Sequence, residues 1–479
     1  MKNGFVFYLA LFAAINFNAQ CNKNGNAGGT NNPPVNPTND VELWLTKADQ
    51  TILLQKQNRV TSFGTIPNSY PNVDVDDTKT FQTIDGFGYT LTGGSATLIN
   101  QMDATTRNAL LNELFGTGEG KIGVSYIRLS IGASDLDASV FSYNDLPAGQ
   151  TDIDQNNFNI EADKTHLIPV LKSILAINPS IKIISTPWSP PTWMKNNNSS
   201  IGGSLKPEYY HSYAKYFVKY IQAMKTEGVE ITAITPQNEP LHPGNNPSMY
   251  MTAEQQRDFI KNSLAPAFQA AAITTKIIVY DHNLDQTDYP STIYMDADAA
   301  KYVDGAAFHL YAGDVAAMGN LHNAYPNKNL YFTEQWTGSK GSFDGDLQWH
   351  IKNVIIGTMR NWSKLAMEWN LANDPNYGPH TPGGCTECKG ALTINGSAVS
   401  RNVAYYIIAH ASKFVTPGSV RIESNFAGAI QNVAFLRPDG KKVLIALNEG
   451  ATPYTFNLKY KGKWVPVSVD GKSVITMVW

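Results

Sequence analysis

Cysteine, charge and long apolar runs are all scarce in this 479-residue chain, and each scarcity excludes something. Charged residues make up only 16%, the net charge is −3, and no Lys/Arg-rich run occurs. Nucleic acid is therefore not an expected partner. Only three cysteines are present. With Cys21 set aside, they reduce to Cys385-x-x-Cys388. No second cysteine pair or paired histidine stands nearby to complete a zinc site, and no His-x-x-x-His occurs, so the chain gives no support to a metal-dependent hydrolase. In an exported chain the pair points to a local disulfide instead. Neither a metal nor an organic cofactor is implied. Gly118-x-Gly120-x-x-Gly123 has dinucleotide-fingerprint spacing, but it follows a helical stretch and precedes a strand, the reverse of the required order.

The one apolar run at the start, Gly4 to Ile15, is too short to stay across a membrane. Behind Met1-Lys2-Asn3 it reads as a secretory signal over residues 1–20. Asn18-Ala19-Gln20-Cys21 permits two outcomes: cleavage after Gln20 to a soluble form, or lipidation of Cys21, although Asn18 replaces the usual Leu. The chain is thus expected to be secreted, or lipid-anchored to a bacterial membrane at the cell surface, and to act as a monomer. Residues 21–40, rich in Asn, Gly, Pro and Thr, read as a disordered tether.

Hydrophobic residues, at 42%, suffice for a large core, and the length allows one large domain plus a smaller one. Residues 41–80 read as β: Val41 to Thr46, Thr51 to Leu54, Asn72 to Val75. From Phe81 strands alternate with helices. Strands are expected at Gly86 to Leu91, Val124 to Ile131, Ile181 to Thr186, Ile231 to Ile234, Lys276 to Tyr280, Gly305 to Tyr311, Leu330 to Glu334 and Leu365 to Trp369. This pattern predicts an α/β fold, a (β/α)8 TIM barrel over residues 81–414. Residues 415–479 carry short strands at Val420 to Ile422, Ile430 to Leu436, Lys442 to Leu447, Thr455 to Leu458 and Val474 to Val478, with turn residues between them. They predict an appended β-sandwich that residues 41–80 complete. Because its strands come from both ends of the chain, it reads as a buttress rather than a separate binding module.

Two strand ends carry a carboxylate. Ile231 to Ile234 runs into Pro236, which cannot continue a ladder, and then into Asn238-Glu239-Pro240. Asn329 to Phe332 runs into Thr333-Glu334. A (β/α)8 barrel builds its site at the C-terminal ends of its strands, and two carboxylates there are the equipment of glycoside hydrolysis.

Seven motifs occur in one order: Asp85-Gly86-Phe87-Gly88; Ile127-Arg128-Leu129-Ser130 with Ser134-Asp135; Thr186-Pro187-Trp188-Ser189-Pro190-Pro191-Thr192-Trp193-Met194; Pro236-Gln237-Asn238-Glu239-Pro240; Phe308-His309-Leu310-Tyr311; Thr333-Glu334; and Glu368-Trp369-Asn370. With them, the chain from about Phe81 onward resembles glycoside hydrolase family 30, which includes lysosomal glucosylceramidase and microbial β-1,6-glucanases. The resemblance implies Glu239 as acid/base and Glu334 as nucleophile of a retaining double displacement. It also implies Asn238 on the sugar 2-hydroxyl, Arg128 beside Glu334, and Asp135 on sugar hydroxyls. Trp188 and Trp369 would be pocket walls, Tyr311 would hydrogen-bond the nucleophile, and His309 would line the floor. Two departures favour the β-1,6-glucanase branch. Gly93 stands where glucosylceramidase-like members have an Asp that helps hold the terminal sugar, and the Cys385–Cys388 segment follows the eighth strand. The expected substrate is a β-glucan or other β-glucoside, cut by an endo-β-1,6-glucanase. The alternatives are an exo-acting β-glucosidase or glucosylceramidase and, in another class, a non-catalytic glycan-binding protein.

Overall fold

The computed structural model describes Met1, residues 39–59 and residues 61–479. Apart from Met1, Asn39 and Asp40, the expected signal, tether and Cys21 lie outside the described residues.

Eight parallel strands close into a barrel. In chain order they are Gly86–Thr90, Tyr126–Ser130, Lys182–Thr186, Ala233–Ile234, Lys276–Asn283, Val303–His309, Asn329–Glu334 and Ser363–Asn370. Each falls where the apolar runs predict it. The fourth is short because Pro236 ends it, although the Thr235 amide still donates to the Ser185 carbonyl at 3.0 Å.

Strand alternation explains how the barrel becomes polar toward one end. Tyr126, Ile184, Ala233, Ile278, Ala307, Tyr331, Leu365 and Met367 form one buried apolar cluster. Two residues further along the strands, on the same face, stand Arg128, Thr186, Thr235, His309, Thr333 and Trp369, all buried. The fifth strand needs a correction to join this layer. Its register shifts between Tyr280 and His282, and Tyr280 and Asp281 have φ of 75° and 66°. That bulge is how Asp281, three residues after Ile278, comes to meet Arg128 and His309.

The sandwich strands hydrogen-bond in the order Gln55–Lys56, Glu42–Lys47, Ser473–Val478, Lys442–Asn448, Ile430–Leu436, Val420–Ser424, Asn72–Thr83, Tyr454–Tyr460 and Lys463–Val469. The ends of the chain therefore share one sheet, which curls around its own core of Leu43, Val73, Ile422, Phe456, Val467 and Met477. Two local expectations fail. Thr51 to Leu54 is irregular and pairing begins at Gln55. Lys463–Val469 was not anticipated because Pro466 interrupts it. The strand lies at the sheet edge, where a missing N–H breaks no ladder. Asn72–Thr83 belongs to the sandwich and leads through Ile84 and Asp85 into the first barrel strand.

Helix Val403–Ser412 joins the two parts through a buried histidine. His410 bridges Thr476 Oγ1 from Nδ1 and Thr46 Oγ1 from Nε2, each at 2.8 Å. Burial depresses its pKa to about 3. An unfolded histidine titrates near 6.5, so this neutral histidine costs nothing above that pH. As pH falls from about 6.5 toward 3, only the unfolded chain takes up the proton and stability drains away. In His410→Gln the loss of unfolding free energy between pH 6.5 and 4 should shrink by about 3 kcal/mol, measured by urea denaturation. Equal losses in parent and variant would place the titration elsewhere.

Candidate active site

The polar barrel layer opens into a cleft of about 460 Å³ bordered by Asp135, Trp188, Asn238, Glu239, His242, Asn245, His282, Asn283, Tyr311, Glu334, Trp336, Trp369, Cys385 and Cys388. Seven of the nine acid/base, nucleophile and sugar-contacting residues read from sequence border it. Arg128 and His309 lie fully buried against its carboxylates. His242, Asn245, His282, Asn283 and Trp336 were not anticipated.

Glu239 and Glu334 each place a carboxylate oxygen within 4.8 Å of the other and of a His309 ring nitrogen. Glu239 is held at a φ of 43°, with its amide donating to the Asp281 carbonyl at 3.0 Å. This is a left-handed conformation that a glutamate adopts at a cost, imposed by the turn after Pro236. Glu334 is gripped on both oxygens. Arg128 Nη1 donates to Oε2 at 2.5 Å, and the Tyr311 hydroxyl donates to Oε1 at 2.9 Å. Arg128 Nη2 reaches Asn238 Oδ1 at 2.7 Å, which leaves the Asn238 Nδ2 uncommitted among the described residues.

Asp281, also unanticipated, ties the two halves together. It is fully buried. One oxygen accepts from Arg128 at 3.0 Å, Thr186 at 3.0 Å and Thr235 at 2.8 Å, and the other from Thr333 at 2.6 Å and His309 Nε2 at 3.1 Å. Burial opposes its charge, but Arg128 and His309 outweigh burial and hold its pKa far below the carboxylate range.

His309 donates its other ring N–H, on Nδ1, to Glu239 Oε1 at 2.9 Å. Burial disfavours the imidazolium, yet the Glu334 charge and the bonds to Asp281 and Glu239 raise its pKa to about 9. With the proton there, burial pushes Glu239 upward but the His309 hydrogen bond and charge bring it below its ordinary value. Burial leaves Glu334 above its own, against the pull of His309 and Arg128. The proton that an acid at Glu239 requires is thus stored one hydrogen bond away.

Trp188 and Trp369 border the cleft but show little of themselves, at 1% and 4% exposure. Their rings lie 5.4 Å apart, with the Arg128 guanidinium 4.9 and 5.6 Å from their centroids. They wall the pocket chiefly by packing Arg128. Asp135 is pushed up to about 7 by burial and then by the Glu334 charge. Its carbonyl accepts from the Thr381 amide at 2.9 Å, and its Oδ2 accepts from the Cys385 amide at 3.4 Å. Cys385 and Cys388 are joined by a disulfide.

Gly93 also has a packing reason of its own. It is not among the cleft-lining residues, and a Cβ there would lie 1.7 Å from Asp137 Oδ1. Asp137, buried, accepts from the Ser134 amide at 2.7 Å and the Ser134 hydroxyl at 2.8 Å. The glycine therefore makes room for the carboxylate that fixes the turn carrying Asp135.

Comparison with known proteins gives a consistent result. The model of the glycosyl hydrolase family 30 TIM-barrel domain matches residues 84–415, and that of the family 30 beta sandwich domain matches residues 418–477. An endo-1,6-beta-D-glucanase of Trichoderma harzianum is 37% identical over 79% of this chain and 80% of its own. The lysosomal acid glucosylceramidase of Mus musculus is 31% identical over 84% and 82%. A solved endo-beta1,6-glucanase superposes with a TM-score of 0.85 at 38% identity, covering 92% of this chain and 99% of its own.

Proposed function

Because the chain belongs to glycosyl hydrolase family 30, we propose that its cleft hydrolyses β-1,6-glucan internally, with Glu334 as nucleophile and Glu239 as acid/base. It is a retaining glycoside hydrolase of a family that also contains glucosylceramidases. The observation that carries the residue roles is the division of partners. Arg128 touches Glu334 and not Glu239, while His309 donates to Glu239.

On this reading Glu334, oriented by Arg128 and Tyr311, attacks the anomeric carbon. Glu239 gives a proton to the leaving oxygen, and the sugar is left esterified to Glu334. Glu239 becomes an acid when the proton on His309 Nδ1 crosses their 2.9 Å hydrogen bond, while Nε2–H stays on Asp281. In the second half Glu239 takes a proton from water as the water oxygen attacks the anomeric carbon. The bond to Glu334 breaks to release its carboxylate, and the proton passes back from Glu239 to His309 Nδ1. A separation of about 5 Å between carboxyl groups leaves no room for water between nucleophile and sugar, as retention requires. Asn238 Nδ2 meets the sugar 2-hydroxyl and Asp135 the hydroxyls at the far side of the ring. The β-1,6 preference is supported by the likeness to the Trichoderma harzianum glucanase. Export is also part of the proposal, carried by the signal-like residues 1–20 and ending either in cleavage after Gln20 or in lipidation of Cys21.

The test is hydrolysis of β-1,6-, β-1,3- and β-1,4-glucans and an aryl β-glucoside. Oligosaccharides released from the β-1,6 polymer are the expected result. Glucose from the aryl glucoside alone would move the protein to the β-glucosidase or glucosylceramidase side. Glycan binding without any turnover would mark a lectin.

A further inference from the structure

Two aromatic side chains bordering the cleft keep exposed surface, Tyr311 and Trp336, and the Tyr311 hydroxyl is committed to Glu334 at 2.9 Å. Trp188 and Trp369 are nearly buried and pack Arg128, as described. Trp336, two residues past Glu334, remains partly exposed at the cleft edge. Its ring lies over Gly338, within van der Waals reach: a Cβ there would sit 3.4 Å from Cη2. It also packs against the cluster of Leu136, Trp188, Trp369 and the disulfide.

The backbone around it is pinned. Thr337 and Gly338 pair antiparallel with Lys389 and Cys388, the Thr337 hydroxyl donates to the Lys389 carbonyl at 2.9 Å, and the Ser339 amide donates to the Glu387 carbonyl at 2.8 Å. On the other side, the Gln335 carbonyl accepts from the Trp369 amide at 2.8 Å. An indole backed by a glycine and a disulfide-bridged hairpin, with an edge on a sugar cleft, is pre-organised: it loses little freedom when a ligand lies on it. The C–H face of a β-glucopyranose ring is the complementary surface, apolar and flat.

We propose that Trp336 is a stacking platform for a glucosyl unit adjoining the one attacked by Glu334, and that the Cys385–Cys388 hairpin holds it in place. This rests on the hydrolase reading above. It makes chain-length dependence a property of the hairpin, whereas Arg128, Asn238 and Asp135 serve the attacked unit.

The experiment compares kcat/KM on the polymer with kcat/KM on an aryl β-glucoside, which has no neighbouring glucosyl unit. In Trp336→Ala the polymer-to-aryl-glucoside ratio should fall at least about tenfold, and Trp336→Phe should restore most of it. Cys385→Ser with Cys388→Ser should lower the same ratio less. Circular dichroism and the thermal midpoint establish that each variant is folded. In the Glu334→Gln background, Trp336→Ala should weaken binding of a β-1,6-linked glucotriose by about tenfold and of glucose by much less. Equal losses on both substrates, or unchanged trisaccharide affinity, would overturn the platform. If the parent cleaves another β-glucan, the ratio is measured on that polymer and the matching trisaccharide, so an error of linkage is separable. A parent that turns over only the aryl glucoside also overturns it. A parent inactive on everything sinks the hydrolase reading, and the trisaccharide titration then decides the platform by itself.

Discussion

Glu334→Ala will lose aryl β-glucoside turnover by a factor on the order of 10⁴ or more, and sodium azide will restore part of it with an α-glucosyl azide as product. The loss follows from removing the group that bonds to the anomeric carbon. The rescue follows from geometry: alanine vacates the α face of the sugar, azide fits there, and Glu239 can still protonate the leaving oxygen. A single displacement from that face inverts the centre. The stereochemistry, read by NMR, makes the test specific to role. If Glu334 were the acid/base, azide would intercept a glycosyl-enzyme formed on Glu239, and the product would be the β-azide. That outcome would exchange the two assignments. The variant should fold, because Arg128 keeps Asp281 as an anionic partner at 3.0 Å when Glu334 is gone.

The barrel was legible because its signals are local. Each barrel strand is a short apolar run between helical stretches, and the C-terminal end of such a run is where this architecture places chemistry. Glu239 and Glu334 could be picked out as carboxylates following those runs. Asp281 carries the same signal: Ile277-Ile278-Val279-Tyr280 is an apolar strand followed at once by a carboxylate. What hid it was the bulge, since a regular strand would have turned Asp281 away from the barrel axis. Trp188 and Trp369 border the cleft, but their near-complete burial comes with Arg128 lying against both rings, and no spacing along the chain encodes that. Trp336 and the disulfide meet only because a strand after the seventh barrel strand pairs with one after the eighth. His410 is likewise a long-range feature, an isolated histidine in an apolar helix whose two threonine partners lie near opposite ends of the chain.

Asp281→Asn is expected to cut kcat on an aryl β-glucoside by about 10²- to 10³-fold without touching any atom of the substrate. Asparagine keeps the shape but removes the charge that Arg128 and His309 share. Two effects follow. Arg128 stays buried with one anionic partner fewer, a loss of about 3 kcal/mol in stability and of orientation at Glu334. His309 loses a partner that favours its imidazolium, so its pKa falls from about 9 toward the ordinary value. The sign of the pH effect is then fixed. A raised histidine pKa keeps the shared proton available until pH climbs through that value, so lowering it removes the proton earlier. The alkaline limb of the kcat/KM profile should move toward lower pH by about one unit or more. A variant whose activity falls while that limb stays in place would mean that Asp281 merely packs the barrel floor, and that the proton used by Glu239 does not pass through His309.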